Sequence, residues 1–290
     1  MTARPRRSIL YMPGANPRAL EKARQLAADG LIIDLEDSVA PDAKGLAREQ
    51  ALSAIAEGGY GHRELILRIN GADTPWAVAD MEALGSAEVL PDAVLLPKVS
   101  SATEVKAALA ALDGAGVARE LPVWLMAETP RCILNINEVA GADPRVAALV
   151  LGTSDLAKDT RVRHTPDRLG FIATLNLCVL AGRAHGLAVI DGVALDLEDQ
   201  AALEASCSQG RDLGFDGKSL IHPKQIEAAN AAFGPSSAEV AAAREVMAAF
   251  EEAEAAGKGV VVVKGRLVEA LHVEEARHTL ALAEAIADLS

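Results

Sequence analysis

The chain has 290 residues, half of them hydrophobic and only 3% aromatic, with a formal charge of −13 and a pI near 5.0. That length makes one large α/β domain or two ordinary ones, and abundant Ala, Val and Leu suit close helix-on-sheet packing better than a β-sandwich. The acidic balance argues against a nucleic-acid partner, which needs an excess of Lys and Arg, but leaves room for an anionic small substrate met by a few clustered cations.

The opening Met-Thr-Ala-Arg-Pro-Arg-Arg7 runs directly into Ser8-Ile-Leu-Tyr11, an apolar stretch too short for a signal peptide. No later run approaches the ~20 residues of a membrane helix, so a soluble, cytoplasmic protein with no membrane partner is expected. Cys132, Cys178 and Cys207 are odd in number, far apart and without C-x-x-C spacing, as free buried thiols in a reducing compartment would be.

Apolar runs then recur at Ser8–Met12, Leu31–Leu35, Leu65–Ile69, Ala93–Leu96, Val123–Ala127, Ala148–Leu151, Leu187–Ile190 and Gly217–Ile221. Their starts lie roughly 22 to 40 residues apart, the length of a strand plus a returning helix. Amphipathic stretches fill the gaps, among them Pro17–Ala28, Ala43–Glu57, Ser101–Leu112 and Thr165–His185, the last stopped by Gly186. Asn16 before Pro17 reads as a helix N-cap. Near-continuous apolar strands fit a parallel sheet covered on both faces, and eight units predict an α/β fold of the (β/α)8 TIM-type barrel class. A doubly wound open sheet is the alternative, although no Gly-x-Gly-x-x-Gly opens a helix. The eighth strand is the least regular, being only half apolar.

Residues 1–235 would form the barrel, and residues 236–290 a C-terminal extension that caps a barrel mouth or packs on a neighbouring subunit. Within it, Ser237–Ala256 reads as a helix, Gly257–Gly265 as an extended hairpin element and Val273–Leu289 as a last helix, with Glu274 and Glu275 in its first turn.

In such a barrel the C-terminal strand ends face the site. They carry Tyr11; Asp34, Glu36 and Asp37; Arg68 and Asn70; Lys98; Glu128; Asp155; Asp191; and Lys218 with His222. Charges of both signs would converge on one mouth. Glu128 and Asp155 on neighbouring strands could hold Mg²⁺, with water and substrate completing the shell. The same two carboxylates could instead form salt bridges with Arg68, Lys98 or Arg131. Without clustered Cys or His, zinc is not indicated. Arg68 could clamp a carboxylate or ketone oxygen, with Asp34 or Glu36 orienting it. Arg18 and Lys22, four apart on one helix face, could receive phosphates or simply be solvated. His222 before Pro223 reads as a structural hydrogen-bonding residue. No Gly-x-Ser-x-Gly, P-loop or Ser/His/Asp arrangement supports nucleophilic catalysis.

Several of these stretches together resemble the citrate lyase beta-subunit-like group of the HpcH/HpaI aldolase superfamily. They are Arg7-Ser-Ile-Leu-Tyr11-Met-Pro13-Gly14, Leu31-Ile-Ile-Asp34-Leu-Glu36-Asp37, Leu67-Arg68-Ile-Asn70, Leu96-Pro-Lys98, Ala127-Glu128-Thr129, Leu151-Gly-Thr-Ser-Asp155 and Gly217-Lys-Ser-Leu-Ile-His222-Pro223. The resemblance runs from about residue 6 to 275. It implies a TIM-like barrel assembling as a homotrimer or hexamer, and an activity like that of malyl-CoA and citramalyl-CoA lyases or malyl-CoA thioesterases. By motif, Glu128 and Asp155 would hold Mg²⁺ (or Mn²⁺), and Arg68, with Lys98 and Glu128 beside it, would bind the acyl end. Glu36 and Asp37 would orient Arg68 and Lys98. Tyr11, Arg18 and Lys22 would lie against the coenzyme A moiety.

One departure bears on the reaction. Where the lyases carry an aspartate that reaches a neighbour's site, this chain reads Gly265-Arg-Leu-Val268-Glu269, and Leu271 stands where Pro often follows. Glu269 could act as the acid/base of a retro-Claisen cleavage of a 3-hydroxyacyl-CoA, to which the expectation leans, or orient water for thioester hydrolysis. A subunit acting on a carrier-bound acyl group and an aldolase of free acids are further alternatives.

Overall fold

A computed structural model describes residues 4–255, 261–263 and 266–289. Eight parallel strands close into a barrel in chain order: β1 (Ser8–Pro13), β2 (Gly30–Asp34), β3 (Glu64–Arg68), β4 (Ala93–Leu96), β5 (Val123–Ala127), β6 (Val146–Leu151), β7 (Ala188–Asp191) and β8 (Gly217–Leu220), which pairs back to β1. The (β/α)8 expectation holds, and closure removes the open-sheet alternative. Ten helices accompany the strands: α1 (Pro17–Ala23), α2 (Lys44–Glu57), α3 (Ala77–Gly85), α4 (Ala102–Gly114), α5 (Pro130–Leu134), α6 (Ile136–Ala140), α7 (Thr153–Thr160), α8 (Ile172–His185), α9 (Gln200–Asp212) and α10 (Ile226–Phe233).

Two of the barrel's helices start or stop well away from where the sequence pattern predicts. α1 ends at Ala23 because the next amides turn back on carbonyls three residues earlier, Gln25 on Lys22 and Leu26 on Ala23. α8 begins at Ile172 rather than Thr165, since Arg168 adopts a left-handed backbone (φ 50°) that breaks the run. Gly186 does stop α8, in the left-handed conformation that favours glycine (φ 69°).

Along each strand, alternate residues point into the barrel. Ile9, Ile32, Ile66, Leu95, Trp124, Met126, Val150 and Ile190 fill its interior. At the N-terminal end Arg6 closes the floor, gripping Glu64 with two bonds of 2.7 and 2.8 Å and lying 5.1 Å over the Trp124 ring. Continuing the inward set toward the C-terminal ends reaches Tyr11, Asp34, Arg68 and Glu128.

The same parity overturns the expectation that Asp191 and Lys218 share that mouth. Each follows an interior position by one residue, so both point out of the barrel, where they pair at 2.9 Å with neither side chain exposed. Arg168 completes the triad with bonds of 2.8 and 2.7 Å to Asp191. This outward charge is why β8 reads as half apolar yet is wholly buried. His222 is likewise outside the site: its Nδ1 accepts the Lys224 amide at 3.1 Å and caps a short 3₁₀ turn.

The chain divides into two compact units, Arg6–Asn230 and a second built on the segment from Ala231 onward with the first five residues. In the second, α11 (Ser237–Ala255) packs on α12 (Ala270–Ala287), and β9 (Val261–Val263) pairs antiparallel with β10 (Arg266–Val268). The rest of the predicted hairpin, residues 257–260 and 264–265 with the Gly265 of the motif, lies outside the described residues. Because α12 starts at Ala270, Glu274 and Glu275 fall past its first turn. No helix among the described residues is long and apolar enough to cross a membrane.

Candidate active site

The site is built around Arg68, the last residue of β3. Strand register sets Asp34 directly beside it, and the carboxylate takes the guanidinium fork with bonds of 2.6 Å from Nε and 2.7 Å from Nη2. Glu36 Oε2 stands 2.8 Å from Nη1 as an ion pair without hydrogen-bond alignment, and Asp37 is farther away at 3.9 Å. The Tyr11 ring underlies the guanidinium at 4.9 Å. Fork, ring and acid together hold Arg68 in one orientation.

The loop after β2 is folded around Asp34. Its oxygens accept the amides of Glu36 (2.8 Å) and Ser38 (3.1 Å). From α2, buried Lys44 donates to the carbonyls of Leu35 (2.8 Å) and Glu36 (2.6 Å), fixing the loop from the other side.

A second knot centres on Lys98, after β4. Its backbone is left-handed (φ 57°), a conformation that costs a non-glycine residue on the order of 1 kcal/mol. That turn lets the Lys98 amide donate to Glu128 Oε1 at 2.8 Å. The ammonium lies 2.5 Å from Asp155 Oδ2, 3.6 Å from Glu128 Oε1, 3.8 Å from Asp37 and 3.9 Å from Glu36. Asp155 arrives from the first turn of α7, and Glu128 continues the interior row of β5. Five carboxylates therefore face two cations.

Burial would raise the pKa of Asp34, but the Arg68 charge outweighs it and holds the acid below its ordinary value. Burial pushes Glu36 up to about 7, against the opposing pull of Arg68 and with help from Glu128 and Asp37. Glu128 is raised by burial as well, despite Lys98 and its amide. Burial would lower Lys98 and Arg68, yet the surrounding carboxylates raise both. Burial also raises the Tyr11 phenol.

Glu128 and Asp155 converge on one cation, so both oxygens can be met from a single point. Gly152 makes room for the Glu128 side chain: a Cβ there would come 2.4 Å from Glu128 Cβ and 2.7 Å from its Oε2. Two hard oxygen donors suit Mg²⁺ or Mn²⁺ with water and substrate as further ligands. No cluster of three or more His, Cys, Asp or Glu able to hold a metal occurs among the described residues, which fits neither zinc nor an all-protein cage. The salt-bridge alternative is present at the same time, with Lys98 as the partner.

The structure thus gathers Tyr11, Asp34, Glu36, Asp37, Arg68, Lys98, Glu128 and Asp155 in one mouth. Tyr11 faces inward against Arg68, its hydroxyl 3.4 Å from Met126 Sδ, rather than outward toward the end of a long ligand. Arg18 and Lys22 are exposed on α1, whose first turn Asn16 caps by accepting the Ala19 amide at 3.1 Å. Asn70 is drawn away from the mouth by Asp80, which takes its amide and side chain at 2.9 and 2.6 Å and also binds Arg48. Glu269 belongs to the second unit, where it is exposed at the N-cap of α12 and its amide donates to His272 Nδ1 at 3.0 Å. Sequence reasoning missed Lys44, Asp80 and Arg168, since nothing local marks a charged residue inside a loop or helix as one whose head turns inward.

A cavity of about 300 Å³ flanks the cluster at the ends of β3 and β4. It shares Lys98 with the site but is lined otherwise by Ile69, Met81, Leu96 and Val99, with Asp73 and Glu104 among its polar residues.

The chain is similar to proteins of known activity. A (3S)-malyl-CoA thioesterase of Cereibacter sphaeroides (strain KD131 / KCTC 12085) is 53% identical over 285 residues, 98% of this chain and 97% of that protein. An L-malyl-CoA/beta-methylmalyl-CoA lyase of Rhodobacter capsulatus is 36% identical over 306 residues, 97% of this chain and 96% of that protein. Among solved structures, the CitE protein of Mycobacterium tuberculosis in complex with magnesium, acetoacetate and coenzyme A has a TM-score of 0.78 at 28% identity, covering 98% of this chain and 100% of that one. Residues 7–223, nearly the whole barrel, match the family described as HpcH/HpaI aldolase/citrate lyase, and the chain belongs to that family.

Proposed function

We propose that the protein is a Mg²⁺-dependent enzyme acting on the CoA thioester of a 3-hydroxydicarboxylic acid such as malyl-CoA, and that it hydrolyses the thioester. The observation that carries hydrolysis over carbon–carbon cleavage is the 53% identity to a malyl-CoA thioesterase across nearly both whole chains, against 36% for the lyase. This reverses the lean that the sequence motifs alone give. The lyase reading is kept by the mouth itself, because stabilising charge on a substrate oxygen serves either reaction.

Arg68 has five N–H groups, of which Asp34 takes two and Glu36 faces a third. The remaining N–H on each of Nη1 and Nη2 is available to a substrate carbonyl or carboxylate, and Asp34 prevents the fork from following solvent. Mg²⁺ held by Glu128 and Asp155 would polarise a substrate oxygen as a Lewis acid. Tyr11 supports Arg68 from beneath at the acyl end, while Arg18 and Lys22 on the rim side of α1 meet the phosphates of coenzyme A. We assign Glu269 to a neighbouring subunit's mouth in a homotrimer or hexamer, where its carboxylate orients the attacking water.

Purified protein incubated with Mg²⁺ and malyl-CoA distinguishes the outcomes. Free thiol and malate in equal amounts are expected. Glyoxylate with acetyl-CoA would establish the lyase reaction instead, and neither product would overturn the substrate assignment.

A further inference from the structure

Lys98 is unusual in three independent respects. Its backbone is left-handed, its amide and its ammonium address the same carboxylate, and the ammonium stands within 3.9 Å of Glu36, Asp37, Glu128 and Asp155. The ammonium thus occupies the point on which Glu128 and Asp155 converge. A divalent cation bound by those two oxygens would lie beside Lys98 Nζ, which stands 2.5 Å from Asp155 Oδ2 and 3.6 Å from Glu128 Oε1, so two positive charges would contest one small space.

The surroundings also provide a place for a displaced side chain. Lys98 lines the 300 Å³ cavity, to which Asp73 and Glu104 contribute carboxylates. The side chain is not locked in by packing, being 32% exposed, whereas its partner Glu128 is 1% exposed. Glu128 is held by the Lys98 backbone as well, so departure of the ammonium does not free the carboxylate.

We infer that Lys98 is a displaceable internal cation: its ammonium competes with the divalent metal for Glu128 and Asp155 and swings toward the flanking cavity when the metal binds. The lysine neutralises the carboxylates in the metal-free protein and thereby weakens metal affinity. This inference rests on the metal assignment made above, and the experiment separates the two.

Mn²⁺ binding is measured by titration calorimetry on the wild type, Lys98→Met and Glu128→Gln. Loss of binding in Glu128→Gln supports the metal assignment. Lys98→Met, which keeps the length and removes the charge, is expected to bind Mn²⁺ at least tenfold more tightly than wild type. Equal or weaker binding in Lys98→Met overturns the competition while leaving the metal site in place; absence of binding in both wild type and Lys98→Met overturns the metal assignment itself. A second measurement needs no variant. Acetylation of Lys98 by a small amine-reactive ester, followed by mass spectrometry, is expected to accelerate severalfold when Mg²⁺ is added to wild type. An unchanged or slower rate contradicts displacement.

Discussion

Glu36 shows how one residue can be drawn into a site by its neighbours and remain poorly satisfied there. Its Oε2 is buried without a hydrogen bond, and burial pushes its pKa to about 7. Without divalent cations the folded state therefore holds a proton on Glu36 that the unfolded chain releases near its ordinary value of 4.5. Stability from this group is present at low pH and is lost as pH rises through about 7, by up to about 3 kcal/mol. Urea unfolding in chelator at pH 5 and pH 8 should show this fall for wild type and a flatter profile for Glu36→Gln; identical profiles would remove Glu36 as its cause. Such a shift was not legible from the sequence, because Asp34, Glu36 and Asp37 look alike there. The fold separates them: Asp34 points inward at Arg68, Glu36 sits behind it, and Asp37 is left 61% exposed.

Elements were far more legible than side-chain directions. Seven of the eight strands are recognisable as apolar runs, since a parallel strand covered on both sides has no polar face to interrupt it, and β8 is half apolar because Lys218 points into the helix layer. What the run conceals is parity. Asp191 ends an apolar strand as Arg68 does, but one residue of offset sends it, with Lys218 of β8, into the helix layer, where Arg168 joins them. Arg168 was illegible for the same reason that α8 appeared too long: the inward arginine and the break in the helix are one feature. Because Asp191 and Lys218 are fully buried and the Arg168 side chain is only 12% exposed, removing the Asp191 charge leaves the two cations unpaired. Asp191→Asn should lower unfolding free energy by about 3–5 kcal/mol while changing turnover little, as judged by urea titration beside a steady-state assay. A loss of turnover with unchanged stability would place Asp191 in the chemistry instead.

At the scale of the whole molecule, the charge of −13 is compatible with the anionic substrate proposed above because Arg68 and Lys98 are concentrated in the mouth and Arg18 and Lys22 lie on α1. The second unit was legible as helices, and the role expected for its carboxylate came only from a motif. Glu269 is marked only by its place in a motif, and in the structure it is an exposed N-cap. Its assignment to a neighbour's site predicts complementation. Mixed oligomers of Glu269→Gln and Arg68→Ala subunits should regain activity that neither variant has alone, whereas no recovery after mixing and reassembly would confine the site to one subunit.

Everything proposed for the reaction depends on the guanidinium fork that Asp34 holds in the barrel mouth. Arg68→Lys retains the charge and loses the planar fork, so the steady-state kinetics of this variant with malyl-CoA address the claim directly. A fall in kcat of about 100-fold or more is expected, with the Kd for free coenzyme A unchanged as evidence of an intact fold. Turnover within a few-fold of wild type would contradict the account.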